Sequence, residues 1–123
     1  MGEANRYLGW GYVWGGASPS RGFDCSGLVY VIYRPWLPDF PRTAAAQYAY
    51  GAQVQGELQP GDIVCFQNTY RWGISHVGIY LGRRLFIHAV GVPWGVTISS
   101  LDHYYQAHYA GATRPLDYLG GSP

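Results

Sequence analysis

Cys25 is the residue of this chain best placed for nucleophilic chemistry. It follows Asp24, a typical helix N-cap residue, and precedes an apolar run at residues 28–33, so the pattern predicts a buried helix that ends at Tyr33. The first turn of a helix carries unpaired N–H groups and about half a positive charge, which lowers the pKa of a thiol and favours the thiolate. A cysteine in this position is more often a plain buried side chain, but the polar neighbours Asp24 and Ser26 favour an accessible rim.

Two histidines are spaced as a base and the group that orients it would be. His76 opens a β-like run at residues 76–81, and His88 lies inside a second run at residues 85–90. A tight connection begins at Gly82, which predicts an antiparallel hairpin with the two histidines facing each other across adjacent strands. Each histidine alone is more typically structural, whereas a thiol, a base and an orienting group together are the minimum set for covalent acyl chemistry.

Other uses of the cysteines and histidines have weaker support. Structural zinc sites normally need closely spaced Cys or His pairs, and no such pair occurs at His76 or His88. We therefore expect no metal and no cofactor. Cys65 lies in the middle of a predicted strand and is expected to be packed. The count of two cysteines allows a disulfide with Cys25, although small domains held together by disulfides usually contain more cysteines.

The bulk properties fit one small domain and argue against several classes of partner. The chain has 123 residues, enough for a single hydrophobic core. Its formal net charge of +1 gives no reason to expect nucleic acid or an acidic membrane surface as a partner. No apolar stretch reaches membrane-spanning length, and the first six residues lack the apolar segment of a signal peptide. The twelve Tyr and five Trp suit a peptide- or carbohydrate-binding cleft as well as an aromatic core.

The order of the predicted elements indicates an α+β fold. Helices come first and a meander of strands follows, which is typical of helices packed on one face of an antiparallel sheet. We predict a single catalytic domain at residues 1–118 and a disordered tail at residues 119–123. The predicted helices are 3–8, 25–33, 44–50 (capped by Thr43) and 100–106 (capped by Ser100); the strands are 62–67, 76–81, 85–90, 96–99 and 108–114; residues 12–16 are extended and 17–22 form a loop.

Six short segments, in this order, resemble the NlpC/P60 family. They are YVWGG at 12–16, FDCSGLV at 23–29, PRT at 41–43, LQPGD at 58–62, HVGIYLG at 76–82 and FIHA at 86–89. The resemblance runs from about residue 6 to residue 114. It implies a papain-like fold in which a thiol on a helix packs against an antiparallel sheet that carries the histidines. It also implies a cell-wall cysteine peptidase that hydrolyses the γ-D-glutamyl to diamino acid bond of peptidoglycan stem peptides.

The same resemblance implies four catalytic residues. Cys25 matches the nucleophile, His76 the general base, His88 the polar residue that orients the base, and Tyr12 a tyrosine whose hydroxyl assists the oxyanion. In the implied mechanism His76 takes the Cys25 proton, or the two rest as a thiolate–imidazolium pair. The sulfur then attacks the D-glutamyl carbonyl, and water clears the thioester.

Asp24 and Ser26 match residues that contact the free amine end of short stem peptides in family members. The implied partner is the peptidoglycan stem peptide, and the implied location is extracytoplasmic, secreted or in the cell wall. The sequence leaves open whether the domain is part of a larger protein or assembly. Two other functions stay open on the sequence alone. One is a different acyl chemistry, such as an N-acetylmuramoyl-L-alanine amidase; the other is a non-catalytic wall-binding module of a phage tail or secretion apparatus.

Overall fold

The computed structural model describes residues 17–18, 22–90 and 95–115. The predicted helix at residues 3–8, the extended segment at 12–16 and the predicted tail at 119–123 lie outside the described residues. The helices are α1 Cys25–Tyr33, α2 Ala44–Ala49 and α3 Tyr104–His108. The strands are β1 Ala17–Ser18, β2 Gly22–Phe23, β3 Ala52–Gln53, β4 Ile63–Gln67, β5 Ile74–Gly82, β6 Leu85–Ala89, β7 Val96–Ser100 and β8 Tyr109–Arg114.

Six of the strands form one sheet in the order β3-β8-β4-β5-β6-β7. Every neighbouring pair is antiparallel. Strands β4 to β7 form the predicted meander, and β8 returns to lie beside β4. The prediction of an α+β fold with early helices and an antiparallel sheet is confirmed.

α1 forms where the sequence predicts it, because its N-terminus is capped and its apolar side chains enter a core. The Asp24 carboxylate accepts a hydrogen bond from the Gly27 N–H at 2.6 Å, which satisfies one of the unpaired donors of the first turn. α2 begins in the same way after Thr43, whose hydroxyl accepts from the Ala46 N–H at 3.3 Å. Both predicted caps are confirmed.

The two faces of the sheet bury different kinds of side chain. Alternation along each strand sends successive residues to opposite faces. We call the face against α1 the aliphatic face and the opposite face, against α3, the aromatic face. The aliphatic face packs Leu28, Val29 and Ile32 of α1 against Ile63, Val77, Ile79, Ile87 and Val96, and the aromatic face holds Phe66, Tyr80 and Phe86, with Tyr105 of α3 packed against them.

β5 and β6 form the predicted hairpin, with a register that differs from the expected one. Ile79 lies opposite Ile87, so one further step along the strands brings Gly78 opposite His88. His76 is therefore diagonal to His88 and does not face it directly. The hairpin is confirmed, and the directly opposed histidines are corrected. The hairpin is centred at Arg83 and not at Gly82, so each residue of β5 lies opposite a residue two positions further along β6 than expected, and His76 stays on the same face as His88.

Three predictions for short elements are wrong. The predicted loop at 17–22 contains β1 and the first residue of β2, and these two strands pair with each other. β3, which was not predicted, pairs with β8. These strands have two residues each, too few for alternation to be detected. Ser100 does not cap a helix; it continues β7 opposite Leu85. α3 starts later, at Tyr104, and includes His108, which was predicted to start the last strand.

Both cysteines are free thiols, and Cys65 is fully buried on the aliphatic face, as predicted. In the described part of the chain, every helix is too short or too polar to cross a membrane.

Candidate active site

The Cys25 sulfur lies against the edge of β5, close to the start of that strand. Sγ is 3.8 Å from the Ser75 carbonyl oxygen, and the backbone of Val77 also hydrogen-bonds it. The N–H and C=O of Tyr80 pair with Asp62 and Gly61, directly before β4, so the same groups of Val77 and Ile79 point towards β6. β5 pairs with β6 at residues 79–82, so the thiol occupies the strand edge where that pairing has ended.

The thiol is buried and does not lie on an accessible rim. Cys25 is 4 % exposed, Asp24 9 % and Ser26 7 %, which overturns the rim expected from two polar neighbours. Burial raises the pKa of the Cys25 thiol above its ordinary value, although backbone hydrogen bonds from Val77 and Ser26 lower it in part. The thiolate expected from the helix N-terminus is not favoured at rest, because desolvation outweighs that effect.

His76 and His88 form one hydrogen-bonded pair on the aromatic face. Nε2 of His76 is 2.7 Å from Nδ1 of His88, and Nε2 of His88 is 2.7 Å from Oγ of Ser99. The ring of Phe86 packs on His88 with centroids 4.3 Å apart. Packing and hydrogen bonds together fix the orientation of both imidazoles.

Gly78 provides the space that His88 occupies. A Cβ at this position would lie 2.7 Å from Phe86 Cδ2, 3.0 Å from the Ile87 carbonyl oxygen and 3.1 Å from His88 Cβ. These separations are shorter than a van der Waals contact, so any side chain here would push β6 away. Gly78 of the HVGIYLG segment is therefore required, because β5 and β6 approach each other closely at this position.

Burial keeps both imidazoles neutral. It lowers the pKa of His76 to about 4. Burial, with a smaller contribution from His76, also lowers the pKa of His88 well below its ordinary value. A neutral thiol beside a neutral imidazole suits a base that takes the proton as the sulfur attacks, in preference to a resting thiolate–imidazolium pair.

Of the two ring nitrogens of His76, Nδ1 is covalently closer to the backbone, and the thiol lies beside that backbone. Nε2 is engaged with His88, and the sulfur contacts the backbone on both sides of His76, at Ser75 and Val77. Within the described residues Sγ bonds the backbone and makes no hydrogen bond to the His76 ring. The structure therefore brings Cys25, His76 and His88 to one place with the thiol turned towards a carbonyl group.

Asp24 and Ser26 share a partner, Arg42, to which we assigned no role from the sequence. Arg42 donates to Ser26 Oγ at 2.8 Å and to the two Asp24 carboxylate oxygens at 3.1 and 3.2 Å. Gln47 of α2, fully buried, donates to the Ser26 carbonyl at 3.0 Å. The guanidinium thus compensates the carboxylate charge beside the thiol. The one sequence feature that could have indicated Arg42 is its place in the PRT segment.

Tyr70, in the loop between β4 and β5, lies between two clefts. One, of about 360 Å³, is lined by Asp24 and Ser26; the other, of about 300 Å³, is lined by His76. Tyr70 lines both clefts, and its hydroxyl hydrogen-bonds the Cys25 sulfur. The sequence predicted only that the aromatic loop at residues 70–72 lines or shields a cleft; the hydrogen bond to the thiol depends on the path of the loop.

Tyr12, expected at the oxyanion, lies outside the described residues, so its role stays a prediction. Across residues 17–18, 22–90 and 95–115, no group of three or more His, Cys, Asp or Glu side chains is arranged to hold a metal ion.

Comparison with known proteins connects this geometry to one family. Residues 9–114 match the model of the NlpC/P60 family. The chain is 46% identical over 115 residues to the gamma-DL-glutamyl hydrolase of Bacillus subtilis (strain 168), covering 91% of this chain and 28% of that protein. It is 40% identical over 121 residues to the murein DD-endopeptidase MepH of Escherichia coli (strain K12), covering 94% of this chain and 45% of that protein. The chain thus spans less than half the length of these two curated relatives.

Solved structures share the fold. An NlpC/P60 family protein from Bacillus cereus ATCC 10987 superposes with a TM-score of 0.84 at 34% identity, over 92% of this chain and 38% of that chain. The NlpC/p60 domain of the peptidoglycan hydrolase SagA superposes with a TM-score of 0.77 at 31% identity, over 91% of this chain and 92% of that chain. The fold is therefore papain-like α+β, as predicted. Motifs, fold and sequence similarity agree, and the chain belongs to the NlpC/P60 family.

Proposed function

We propose that this domain is a cysteine peptidase that hydrolyses peptidoglycan stem peptides at the γ-D-glutamyl to diamino acid bond. One observation carries the proposal: the Cys25 sulfur lies beside the backbone of His76, whose Nε2 is held by His88 at 2.7 Å. A nucleophile, a base and an orienting group are then in one place. The relative named gamma-DL-glutamyl hydrolase supports this choice of bond.

The reaction begins from the neutral pair. Rotation about the Cα–Cβ bond of Cys25 moves the thiol from its hydrogen bond with the Ser75 carbonyl oxygen to one with His76 Nδ1. The thiol proton passes to Nδ1 as Sγ bonds to the carbonyl carbon. The C–N bond then breaks, and the imidazolium gives its proton to the leaving amine. Water, deprotonated by His76, hydrolyses the thioester and restores the thiol.

The first turn of α1 leaves one backbone donor for the oxyanion. The Gly27 N–H is committed to Asp24, and the backbone of Ser26 bonds the sulfur. We assign the oxyanion to the Cys25 N–H, with the Tyr12 hydroxyl as the second donor.

We assign one of the two clefts to each half of the substrate. Because the leaving amine takes its proton from His76, the cleft lined by His76 receives the diamino acid. The cleft lined by Asp24 and Ser26 then receives the glutamyl residue and the amine end that precedes it. Arg42 holds both side chains in that cleft, so we add it to the proposed substrate-binding set.

Digestion of purified peptidoglycan tests the proposal. New amino termini on the diamino acid, identified by mass spectrometry, are the expected result, and we expect the same cut in an uncrosslinked disaccharide–tetrapeptide. Free L-Ala amino termini would instead identify an amidase. Loss of cross-linked dimers with uncrosslinked stems left intact would favour the activity named for the second relative, a DD-endopeptidase.

The two cysteines provide the matched control. Cys25→Ala is expected to abolish cleavage, whereas Cys65→Ala removes a thiol from the same face of the sheet and should keep activity at a cost on the order of 1 kcal/mol in unfolding free energy. No cleavage by the folded wild-type domain in any of these assays would favour the non-catalytic wall-binding module. An active protein of this kind acts on the cell wall, outside the cytoplasm.

A further inference from the structure

The hydrogen bonds of the histidine pair continue to the edge strand of the sheet. Ser99 lies on β7, opposite Phe86 and diagonal to His88, and its Oγ is 2.7 Å from His88 Nε2. His88 is fully buried, so both of its ring nitrogens are bonded inside the protein. His76, His88 and Ser99 form a diagonal line across three successive strands.

The direction of these hydrogen bonds decides whether His76 can act as a base. In one arrangement the His76 Nε2–H donates to His88 Nδ1 and the His88 Nε2–H donates to Ser99 Oγ, which leaves a lone pair on His76 Nδ1. In the reverse arrangement Ser99 donates to His88, His88 Nδ1–H donates to His76, and His76 carries its proton on Nδ1. Only the first arrangement can accept the thiol proton.

The proposed reaction requires the first arrangement. His76 can take the thiol proton only through a lone pair on Nδ1, so its own proton lies on Nε2 and is donated to His88 Nδ1. His88 then carries its proton on Nε2, and Ser99 Oγ, 2.7 Å away, accepts it. Tyr105 packs against His88 with ring centroids 5.2 Å apart, which helps to hold the imidazole in this position.

We propose that Ser99 is a positioning residue that selects the reactive tautomer of His76 by accepting a hydrogen bond from His88. The inference depends on the proposed function, because it concerns which nitrogen of the general base is unprotonated. Ser99 contacts neither the thiol nor the substrate clefts; it acts through His88, as the outer hydrogen-bond partners of functional histidines commonly do.

A pair of variants with nearly the same shape isolates the hydroxyl. Ser99→Thr keeps it, Ser99→Val replaces it with a methyl group, and both are β-branched residues that suit a strand. We expect Ser99→Val to lower kcat about 10- to 100-fold with KM nearly unchanged, and Ser99→Thr to restore most of the loss. Ser100→Ala is the control, because its hydroxyl bonds Asp102 on the other side of the strand.

Nitrogen-15 NMR of the two imidazoles reads the tautomer without any substrate. Wild type and Ser99→Thr are expected to show an unprotonated Nδ1 on His76, and Ser99→Val a larger share of the Nδ1–H form. Equal tautomer populations and equal kcat in Ser99→Val and Ser99→Thr would overturn the proposal. If the wild-type protein cleaves no peptidoglycan, the proposed function fails, while the NMR comparison still decides the role of Ser99.

Discussion

The aliphatic and aromatic faces of the sheet contribute different halves of the candidate site. The aliphatic face packs α1 and buries Cys25 in a cluster that consists mainly of Leu, Ile and Val side chains. The aromatic face holds His76 and His88 between rings, with polar partners at 2.7 Å. The thiol lies beside the backbone of His76 at the start of β5, beyond the residues that pair with β6.

This difference shows what each half of the site requires. A nucleophile on a helix needs a rigid support, which dense aliphatic packing provides. A base must be held in one tautomer and one orientation, which needs both hydrogen bonds and flat rings to pack against. The four predictions below test this division, in order of decreasing effect.

Removal of the base is expected to have the largest effect. His76→Ala should lower kcat about 1,000-fold, because general base catalysis is lost. His103→Asn is the control, since His103 is exposed and its φ of 52° and ψ of −115° are those of the first central residue of a type II′ turn, which Asn tolerates. Assays of peptidoglycan cleavage with circular dichroism as a folding check decide the matter. A folded His76→Ala variant with more than a tenth of wild-type activity would rule out His76 as the base.

The aromatic face should also make stability depend on pH. The pKa of His76 is about 4 in the folded protein against 6.5 for the free side chain, so the unfolded chain binds the proton more tightly. The stability is complete above pH 6.5 and is lost as the pH falls towards 4. For His76 alone the free energy of unfolding should drop by about 2 kcal/mol between pH 7 and pH 5, and His88 acts in the same direction.

Urea denaturation at pH 7, 6 and 5 measures this loss. His76→Gln should flatten the dependence, whereas His103→Asn should keep the wild-type slope. An unfolding free energy that is equal at pH 7 and pH 5 would contradict the burial of neutral imidazoles. It would instead favour a resting thiolate–imidazolium pair of Cys25 and His76.

Two mild truncations compare the faces directly. Ile63→Val on the aliphatic face and Phe86→Leu on the aromatic face should each cost about 1–2 kcal/mol in unfolding free energy. Only Phe86→Leu should lower kcat, by about tenfold, because its ring packs on His88 at 4.3 Å. Kinetics and urea denaturation of both variants test this. Equal kcat values would show that the aromatic packing does not orient the base.

The smallest effect is expected at Tyr70. Tyr70→Phe removes the hydroxyl that lowers the pKa of Cys25, so the thiol pKa should rise and kcat should fall two- to threefold, roughly the value of one hydrogen bond. The pH profile of Cys25 alkylation by iodoacetamide measures the shift. Tyr48→Phe, which loses a hydroxyl bonded at 3.3 Å to the Ala110 carbonyl, should leave that profile unchanged. A profile for Tyr70→Phe identical to wild type would mean that this hydroxyl does not affect the thiol.

Much of the fold follows from local patterns. Asp24 and Thr43 are N-caps because short oxygen-bearing side chains bond the free N–H groups of a first turn. The four strands of the meander were predicted because clear turn signals separate runs of four to six residues that favour β-structure. The two-residue strands were missed because two residues are too few for alternation to be detected, and β3 in addition pairs with a strand that is distant in the chain. The start of α3 was missed because its N-cap residue, His103, makes no side-chain capping bond.

The site shows the same division. Residue types and spacing in the sequence were sufficient to select Cys25, His76 and His88, because a helix start and a hairpin are local features with predictable geometry. Burial of the thiol, the diagonal register of the histidines, and the places of Arg42, Tyr70 and Ser99 were decided only by the tertiary structure. Desolvation and contacts between distant segments depend on how the whole chain packs, and no short stretch of sequence contains that information.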